Sequence, residues 1–349
     1  MTTTGPPKTF PTVLVQKGGE GCARGNVEVL ISCQATRWLS TLPQSRLATI
    51  LVSLDCRNNC LFCGAADQRR NRQCGTVDSK IVEAWLRHCA AAGVRLVAFS
   101  GAGDPLTHPD FLSFIETAVD LGMHPYAYTQ AHCLQPRMVE IMVNNGLQEI
   151  AVSVHGANAR SHEQATQQPG SFDRTLRGLR ILLDGGLRVQ TNSVVTRLNA
   201  TETESLVDLL AGELGVHDMA FSYPRMEGNA RAHRELFLSY AEAAHVIRPA
   251  LARVRSMGKD ATVENVPLCY LTTEEYTRLP DYEVMYKDEY HDLCVRPSQV
   301  EMHYLSDCEG CQRRPDCTGV DCGYPLSFTA GPHREPHTPV PETNLADMN

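Results

Sequence analysis

The chain has 349 residues, 42% of them apolar and 21% charged, a profile of a globular protein rather than a disordered one. Forty Asp and Glu against 32 Lys and Arg leave a net charge of −8, which argues against a broad nucleic-acid or anionic-membrane footprint. Fourteen cysteines are the outlier. So many mean either disulfides in an oxidising compartment or metal ligands in a reducing one. The opening MTTTGPPKTFPTVLVQKGG lacks the apolar core of a signal peptide. No stretch approaches the roughly 18 uninterrupted apolar residues of a membrane span. A cytoplasmic protein with metal-binding cysteines follows from this reading.

Residues 1–47 read as an N-terminal extension, in which the apolar runs 12–16 and 27–31 can pair as a hairpin. From Ala48 onward, strand patterns alternate with helical ones. Strands are predicted at 48–55, 94–100, 123–129, 148–155, 187–196 and 216–223. Helices are predicted at 77–92, 109–121, 137–145, 171–183, 201–214 and 239–257, several of them ending at a glycine. Six β-then-α units imply parallel strands joined by right-handed crossovers. The expected fold is α/β: a partial (β/α)6 barrel over 48–258, or an open doubly wound sheet. In either, the site lies at the carboxyl ends of the strands. Residues 259–327 carry six cysteines and little helical periodicity, and read as a small C-terminal cysteine-rich, cluster-binding appendage. The Pro-rich segment 328–349 reads as a disordered tail.

Cys56, Cys60 and Cys63 form C-x3-C-x2-C directly after the first predicted strand. Three thiolates on one loop hold three irons of a cubic 4Fe-4S cluster and leave the fourth open to a small molecule. Structural zinc, which takes four ligands, is not satisfied by the triplet alone. With Phe62 before its third cysteine, this loop resembles the signature of the radical S-adenosylmethionine (SAM) superfamily, and the resemblance covers about residues 48–258. It implies that the open iron chelates SAM and that one electron splits the sulfonium. Methionine and a 5′-deoxyadenosyl radical result, and the radical removes a hydrogen atom from the substrate. The electron comes from a donor such as flavodoxin or ferredoxin.

The resemblance also assigns cofactor-binding residues. Gly101, Gly103 and Asp104 lie in SGAGDP, which is similar to the family's Gly-Gly-Glu-Pro element contacting the SAM amino group. Ser153 and His155 end the fourth strand and Asn192 and Ser193 lie in the fifth, where family members contact the methionine carboxylate or ribose. Each of these is equally readable as an ordinary strand-end polar residue. The chain departs from the family's Thr-Asn-Gly after the third strand. Here Thr129-Gln130-Ala131-His132 stands in its place, and His132 is a candidate for the substrate instead.

Cys308, Cys311 and Cys317 resemble the auxiliary-cluster domains, called SPASM or twitch, of many radical SAM enzymes. Cys269 is the upstream fourth ligand, with Cys294 and Cys322 as competitors. Four-cysteine zinc satisfies the same spacing. Of the unassigned cysteines, Cys133 follows the third strand and is a candidate hydrogen-atom donor, against the commoner fate of a buried apolar cysteine.

Residues 274–292 hold seven acids and four tyrosines, able either to cover the site or to form a solvated face. Arg225, Asn229, Arg231, His233 and Arg234 follow the sixth strand and are suited to a carboxylate or phosphate. The expected reaction is dehydrogenation, epimerisation or decarboxylation of a small polar metabolite (a sugar, aminocyclitol or nucleoside) in natural-product biosynthesis. Maturation of a ribosomally made peptide is the alternative. It is disfavoured because only 47 residues precede the first strand, against about eighty for the leader-recognition domain of peptide-modifying relatives. A zinc-stabilised binding protein is the non-enzyme alternative.

Overall fold

The computed structural model describes residues 46–71, 75–100, 103–272, 283–288, 291–297, 302–305, 308–314, 317, 319–321 and 324. The expected N-terminal hairpin, the tail and Gly101 lie outside these residues.

Seven strands follow one another in parallel pairing: β1 (Arg46–Ile50), β2 (Leu96–Phe99), β3 (His124–Thr129), β4 (Glu149–Ser153), β5 (Arg188–Val194), β6 (Asp218–Ser222) and β7 (Asp260–Glu264). Helices cross over between them: α1 (Ala66–Asn71) and α2 (Ser79–Ala91) after β1, α3 (Phe111–Asp120) after β2, and α4 (Pro136–Asn144) after β3. After β4 come α5 (Ala159–Thr166) and α6 (Ser171–Asp184), after β5 comes α7 (Thr203–Val207), and after β6 comes α8 (Tyr240–Ser256). The α/β class and the six expected units are present, in a sheet that is open and not closed into a full barrel.

The strands form because their runs are apolar on both faces, as a helix-covered parallel sheet demands. Leu96–Phe99 is buried along its whole length. In α3, Phe111, Phe114, Ile115 and Ala118 recur at helical spacing and are all fully buried. Each such aromatic contributes about 1.5–3 kcal/mol on leaving water. Ser239 and Glu242 close a reciprocal capping box at the start of α8.

The sheet is larger than expected. Asp260–Glu264 adds β7 beside β6. On the other edge, β8 (Glu283–Asp288) pairs parallel with β1 and is followed by antiparallel β9 (His291–Pro297). The segment expected to be a separate appendage therefore contributes three strands to the main sheet. Much of the acidic 274–292 stretch lies outside the described residues, and its described part begins with β8. Beyond it, β10 (Met302–His303) and β11 (Val320–Asp321) form a two-stranded antiparallel pair.

The cysteine-rich end is seated on the sheet domain by aromatic packing. Tyr324 stacks on Tyr240 with ring centroids 3.9 Å apart, and Tyr240 also packs against Tyr223 and Tyr270. Buried aromatic pairs of this kind add about 0.5–1.5 kcal/mol each beyond area burial.

Candidate functional site

A cavity of about 220 Å³ opens at the carboxyl ends of the parallel strands. Cys56, Cys60 and Cys63 line it from the loop after β1, together with Phe62, Gly103, Asp104, Gln130, Ser153, His155 and Asn192. Residues from five strand ends therefore converge, as the sequence reading expects for this topology.

The cysteine loop is tied down on three sides. On the β3 side, Asn58 donates to Gln130 Oε1 at 2.9 Å. On the β6 side, the Asn229 side chain donates to the Cys60 carbonyl at 2.8 Å and its backbone N–H to the Cys63 carbonyl at 3.0 Å. From α1, Arg69 Nη1 donates to the Asn58 carbonyl at 2.9 Å, and Nη2 lies 3.8 Å from Cys63 Sγ. Asn229 was expected among anion-binding candidates; it instead holds the loop backbone.

The three thiols lie close enough for their charges to act on one another. Burial first, then the Asp104 charge, pushes the Cys56 thiol up to about 11. Burial and then Cys63 and Cys56 push Cys60 well above the ordinary thiol range. Such a set favours a cationic centre that takes the place of the protons. A single tetrahedral zinc, with Zn–S of about 2.3 Å, gathers its sulfurs to about 3.8 Å. Among the described residues, His217, Asp218 and Asp260 are the group that brings three ligand atoms within 4.8 Å of one another. The cysteine loop supplies three thiolates where structural zinc takes four ligands, a number that fits three corners of an iron–sulfur cubane.

Asp104 caps the short 3-10 turn Pro105–Thr107 through Leu106 N at 3.0 Å. Its carboxylate also accepts from Thr129 Oγ1 at 2.9 Å and from Gln130 N at 2.8 Å. Burial raises its pKa, and these donors oppose the rise. Asp104 thus bridges the β2 and β3 turns while lining the cavity. Gly103 is required here, because a Cβ would lie 2.5 Å from the Ser53 and Asp55 carbonyls.

His155 packs edge-on against Phe62 with centroids 4.8 Å apart. Its Nδ1 accepts from Val194 N at 3.3 Å, so the ring proton sits on Nε2. Burial and then His162 lower its pKa to about 3, keeping it neutral. Ser153 offers its hydroxyl to the cavity without a protein partner among the described residues. Asn192 Oδ1 contacts Ser222 Oγ at 2.6 Å, and Ser222 Oγ lies 2.9 Å from Glu264 Oε2. Neutral donors and acceptors thus face a space next to three thiols, an environment suited to a zwitterionic, cationic-sulfur ligand such as SAM.

Some expected residues do not arrive. Ser193 follows Asn192 along β5, so its side chain points to the opposite face of the sheet and is buried there away from the cavity. Cys133 is half-buried in the turn after β3 and is not part of the cavity wall, so the geometry does not provide the hydrogen-donor placement expected of it. His132 bonds Thr175 Oγ1 at 3.0 Å instead of facing a substrate. Arg231 and Arg234 are exposed. Arg225 does line the cavity, but between carboxylates: Glu227 at 3.5 Å and Asp321 at 3.6 Å. It is no vacant anion receptor. Glu227 and Gln130 are cavity residues that the sequence reading did not single out for this role.

The second cysteine group also converges. Burial, then Cys317, Cys308 and Cys311 in that order among the thiols, push Cys269 up to about 12. Cys317 Sγ accepts from Leu268 N and Gly319 N, both at 3.4 Å. Arg313 donates to the Leu268 and Leu271 carbonyls at 2.9 and 2.8 Å, fixing the Cys269 turn. Cys322 and the side chain of Cys294 lie outside the described residues.

An open parallel α/β sheet with a three-cysteine loop at the end of its first strand is the arrangement that the sequence reading expects of a radical SAM domain. Residues 50–210, just under half of the chain, match the model of the Radical SAM superfamily. Its members use a 4Fe-4S cluster and SAM. Among curated proteins, the chain is 31% identical over 170 residues to an AdoMet-dependent heme synthase of Methanosarcina barkeri, covering 49% of this chain and 48% of that one. It is 23% identical over 201 residues to a PqqA peptide cyclase of Granulibacter bethesdensis, covering 57% and 52%. The chain spans about half the length of the curated relatives it matches. In fold it is similar to Streptococcus suis SuiB bound to S-adenosylmethionine, with a TM-score of 0.62, 16% identity, and coverage of 82% of this chain and 75% of that one. Among the described residues no helix is long and apolar enough to cross a membrane.

Proposed function

We propose that the chain is a radical SAM enzyme that cleaves SAM reductively and abstracts a hydrogen atom from a small polar metabolite. The observation that carries this is the convergence of Cys56, Cys60 and Cys63 on a cavity shared with Asp104, Ser153, His155 and Asn192. Cys56, Cys60 and Cys63 would hold the 4Fe-4S cluster. Such a cluster, once reduced, would supply the electron for reductive cleavage of the SAM sulfonium.

The chain's own residues position and shield. Asn58, Arg69 and Asn229 hold the cysteine loop in register with the strand ends. His155 offers an Nε2–H donor and stays neutral, so it adds no positive charge beside a sulfonium. Ser153 and Asn192 supply hydroxyl and amide groups at the neighbouring strand ends for the polar atoms of SAM. Asp104 fixes the two turns between them. The apolar wall of Phe62 and Val194 limits water.

Cys269, Cys308, Cys311 and Cys317 are proposed to hold an auxiliary 4Fe-4S cluster. Complete ligation leaves it no open iron for SAM, so it would accept an electron from a substrate radical or hold the segment together. The convergence of the other three thiols on Cys269 and the two N–H···S contacts to Cys317 support this reading. A peptide substrate is the second reading, favoured by the similarity to a peptide cyclase.

The test is anaerobic reconstitution with iron and sulfide, followed by assay of 5′-deoxyadenosine from SAM under dithionite. The wild type is expected to cleave SAM and the Cys56→Ala/Cys60→Ala/Cys63→Ala protein to be inactive; cleavage by the triple variant would overturn the assignment. Stimulation of 5′-deoxyadenosine release by sugars, aminocyclitols or nucleosides, as against peptides, then decides the substrate class.

A further inference from the structure

We propose that Arg69 is a positioning residue that eases one-electron reduction of the cluster held by Cys56, Cys60 and Cys63, by setting a fixed positive charge against its thiolate ligands. This rests on the radical SAM reading above.

Arg69 and Arg70 are neighbours on α1, and the turn of the helix sends them to different partners. Arg70 is exposed and pairs with Asp67 and the Asn229 side chain. Arg69 is half-buried and folds back over the cysteine loop. Its Nη1 donates to the Asn58 carbonyl at 2.9 Å, and its Nη2 reaches Asn59 Oδ1 at 3.5 Å and Cys63 Sγ at 3.8 Å. The two oxygen partners fix the planar guanidinium where it meets the sulfur. Its charge also acts on Cys56 and Cys60, so one side chain reaches all three thiols. At Cys56 it is opposed by Asp104, which stands on the cavity side.

The place of Arg69 matters as much as its sign. Arg69 is not part of the cavity wall, so it acts on the ligands from α1 and leaves the space for SAM clear. Reduction by dithionite brings one electron, and so one negative charge, to a site already made of anionic thiolates, and no bond to the protein forms or breaks. A positive charge and an N–H···S contact beside the sulfurs favour the reduced state over the oxidised one. Without Arg69 the cluster is therefore harder to reduce.

The reconstituted full chain is titrated anaerobically with dithionite and redox mediators, and the reduced cluster is followed by electron paramagnetic resonance. The signal used is the one that changes on adding SAM, which marks the cluster with the open iron. In Arg69→Gln, and in Arg69→Met as a second charge-free variant, the reduced-to-oxidised ratio at a fixed solution potential is expected to fall about tenfold. That is a midpoint lower by about 59 mV for one electron. Arg69→Lys keeps the charge and is expected to fall by less than about threefold. Arg70→Gln removes an equal charge that is exposed and paired with Asp67, and is expected to stay within about twofold. Each midpoint is read on the fraction that carries the cluster, so incomplete loading does not disguise the result. An unchanged midpoint in the charge-free Arg69 variants overturns the proposal, as does an equal fall in Arg70→Gln or in Arg69→Lys. A wild type with no SAM-sensitive signal strikes the parent reading, and the proposal with it.

Discussion

Asn229 donates from its side-chain amide to the main-chain carbonyl of Cys60 at 2.8 Å, across 169 positions of sequence. The preceding residue, Gly228, has φ of +52°, and a Cβ there would lie 2.3 Å from the Cys63 carbonyl. The turn after β6 therefore clasps the cysteine loop by one amide and one close backbone approach. Asn229→Ala removes that hydrogen bond from a buried carbonyl, at a cost of about 1–3 kcal/mol. Gly228→Ala adds both left-handed strain and a steric clash. Both variants are expected to lose iron from the first site after anaerobic reconstitution, Gly228→Ala more severely. Full iron loading together with an unchanged urea midpoint would contradict the clasp.

The cysteine triplet was legible because its signal is local: three residues in eight positions after an apolar run. The six strands were legible because a sheet covered on both faces leaves unbroken apolar runs. β7 was not, since Asp260–Glu264 lies beyond the last expected unit, with three half-buried residues and a charge at each end. α5 was missed because the residues it buries include Ser161, His162 and Thr166, which make no apolar stripe. The Asn229 clasp joins segments too far apart for any pattern to connect them. Ser193 was expected at the site beside Asn192, and the alternation of side chains along β5 turns it to the other face, while Cys133 stands in the turn after β3 outside the cavity wall.

The two cysteine groups make separable predictions about metal content. With both clusters present the reconstituted chain should hold about eight irons. Cys308→Ala should lower this to about four while SAM cleavage under dithionite persists, because the first site is untouched. Metal analysis by plasma mass spectrometry checks this. Stoichiometric zinc in the wild type, retained in a Cys56→Ala/Cys60→Ala/Cys63→Ala protein, would replace the auxiliary cluster by a structural ion.

His155 and His162 should make the metal-free protein acid-sensitive. Burial holds their pKa values at about 3 and about 4, below the ordinary 6.5. Below pH 6.5 the unfolded chain binds protons that the folded chain refuses. Their contribution is therefore intact above pH 6.5 and is lost as pH falls toward 4. Each histidine contributes a slope of about 1.4 kcal/mol per pH unit within that window. Urea midpoints of the apo protein at pH 7 and pH 5.5 test it. The His162→Asn variant, whose side-chain oxygen can still accept from the His155 N–H, should show a shallower loss. Equal slopes for variant and wild type would remove His162 as the cause.

Glu264, on β7, should act on the cavity only through Ser222. Ser222 Oγ touches both Glu264 Oε2 and Asn192 Oδ1, at 2.9 and 2.6 Å, and Asn192 alone of the three lines the cavity. The contacts fix the rotation of the Asn192 amide and hence which of its atoms meets the ligand. Ser222→Ala should loosen that amide and weaken SAM binding by about 1 kcal/mol, roughly fivefold. Glu264→Ala should do the same in the wild-type background. Once Ser222 is already alanine, however, Glu264→Ala should change SAM affinity no further, because residues that act in series are not additive. Equilibrium dialysis of SAM with the four proteins closes this cycle. Fully additive losses would show that Glu264 reaches the site by another route, and the strand-to-strand relay would have to be abandoned.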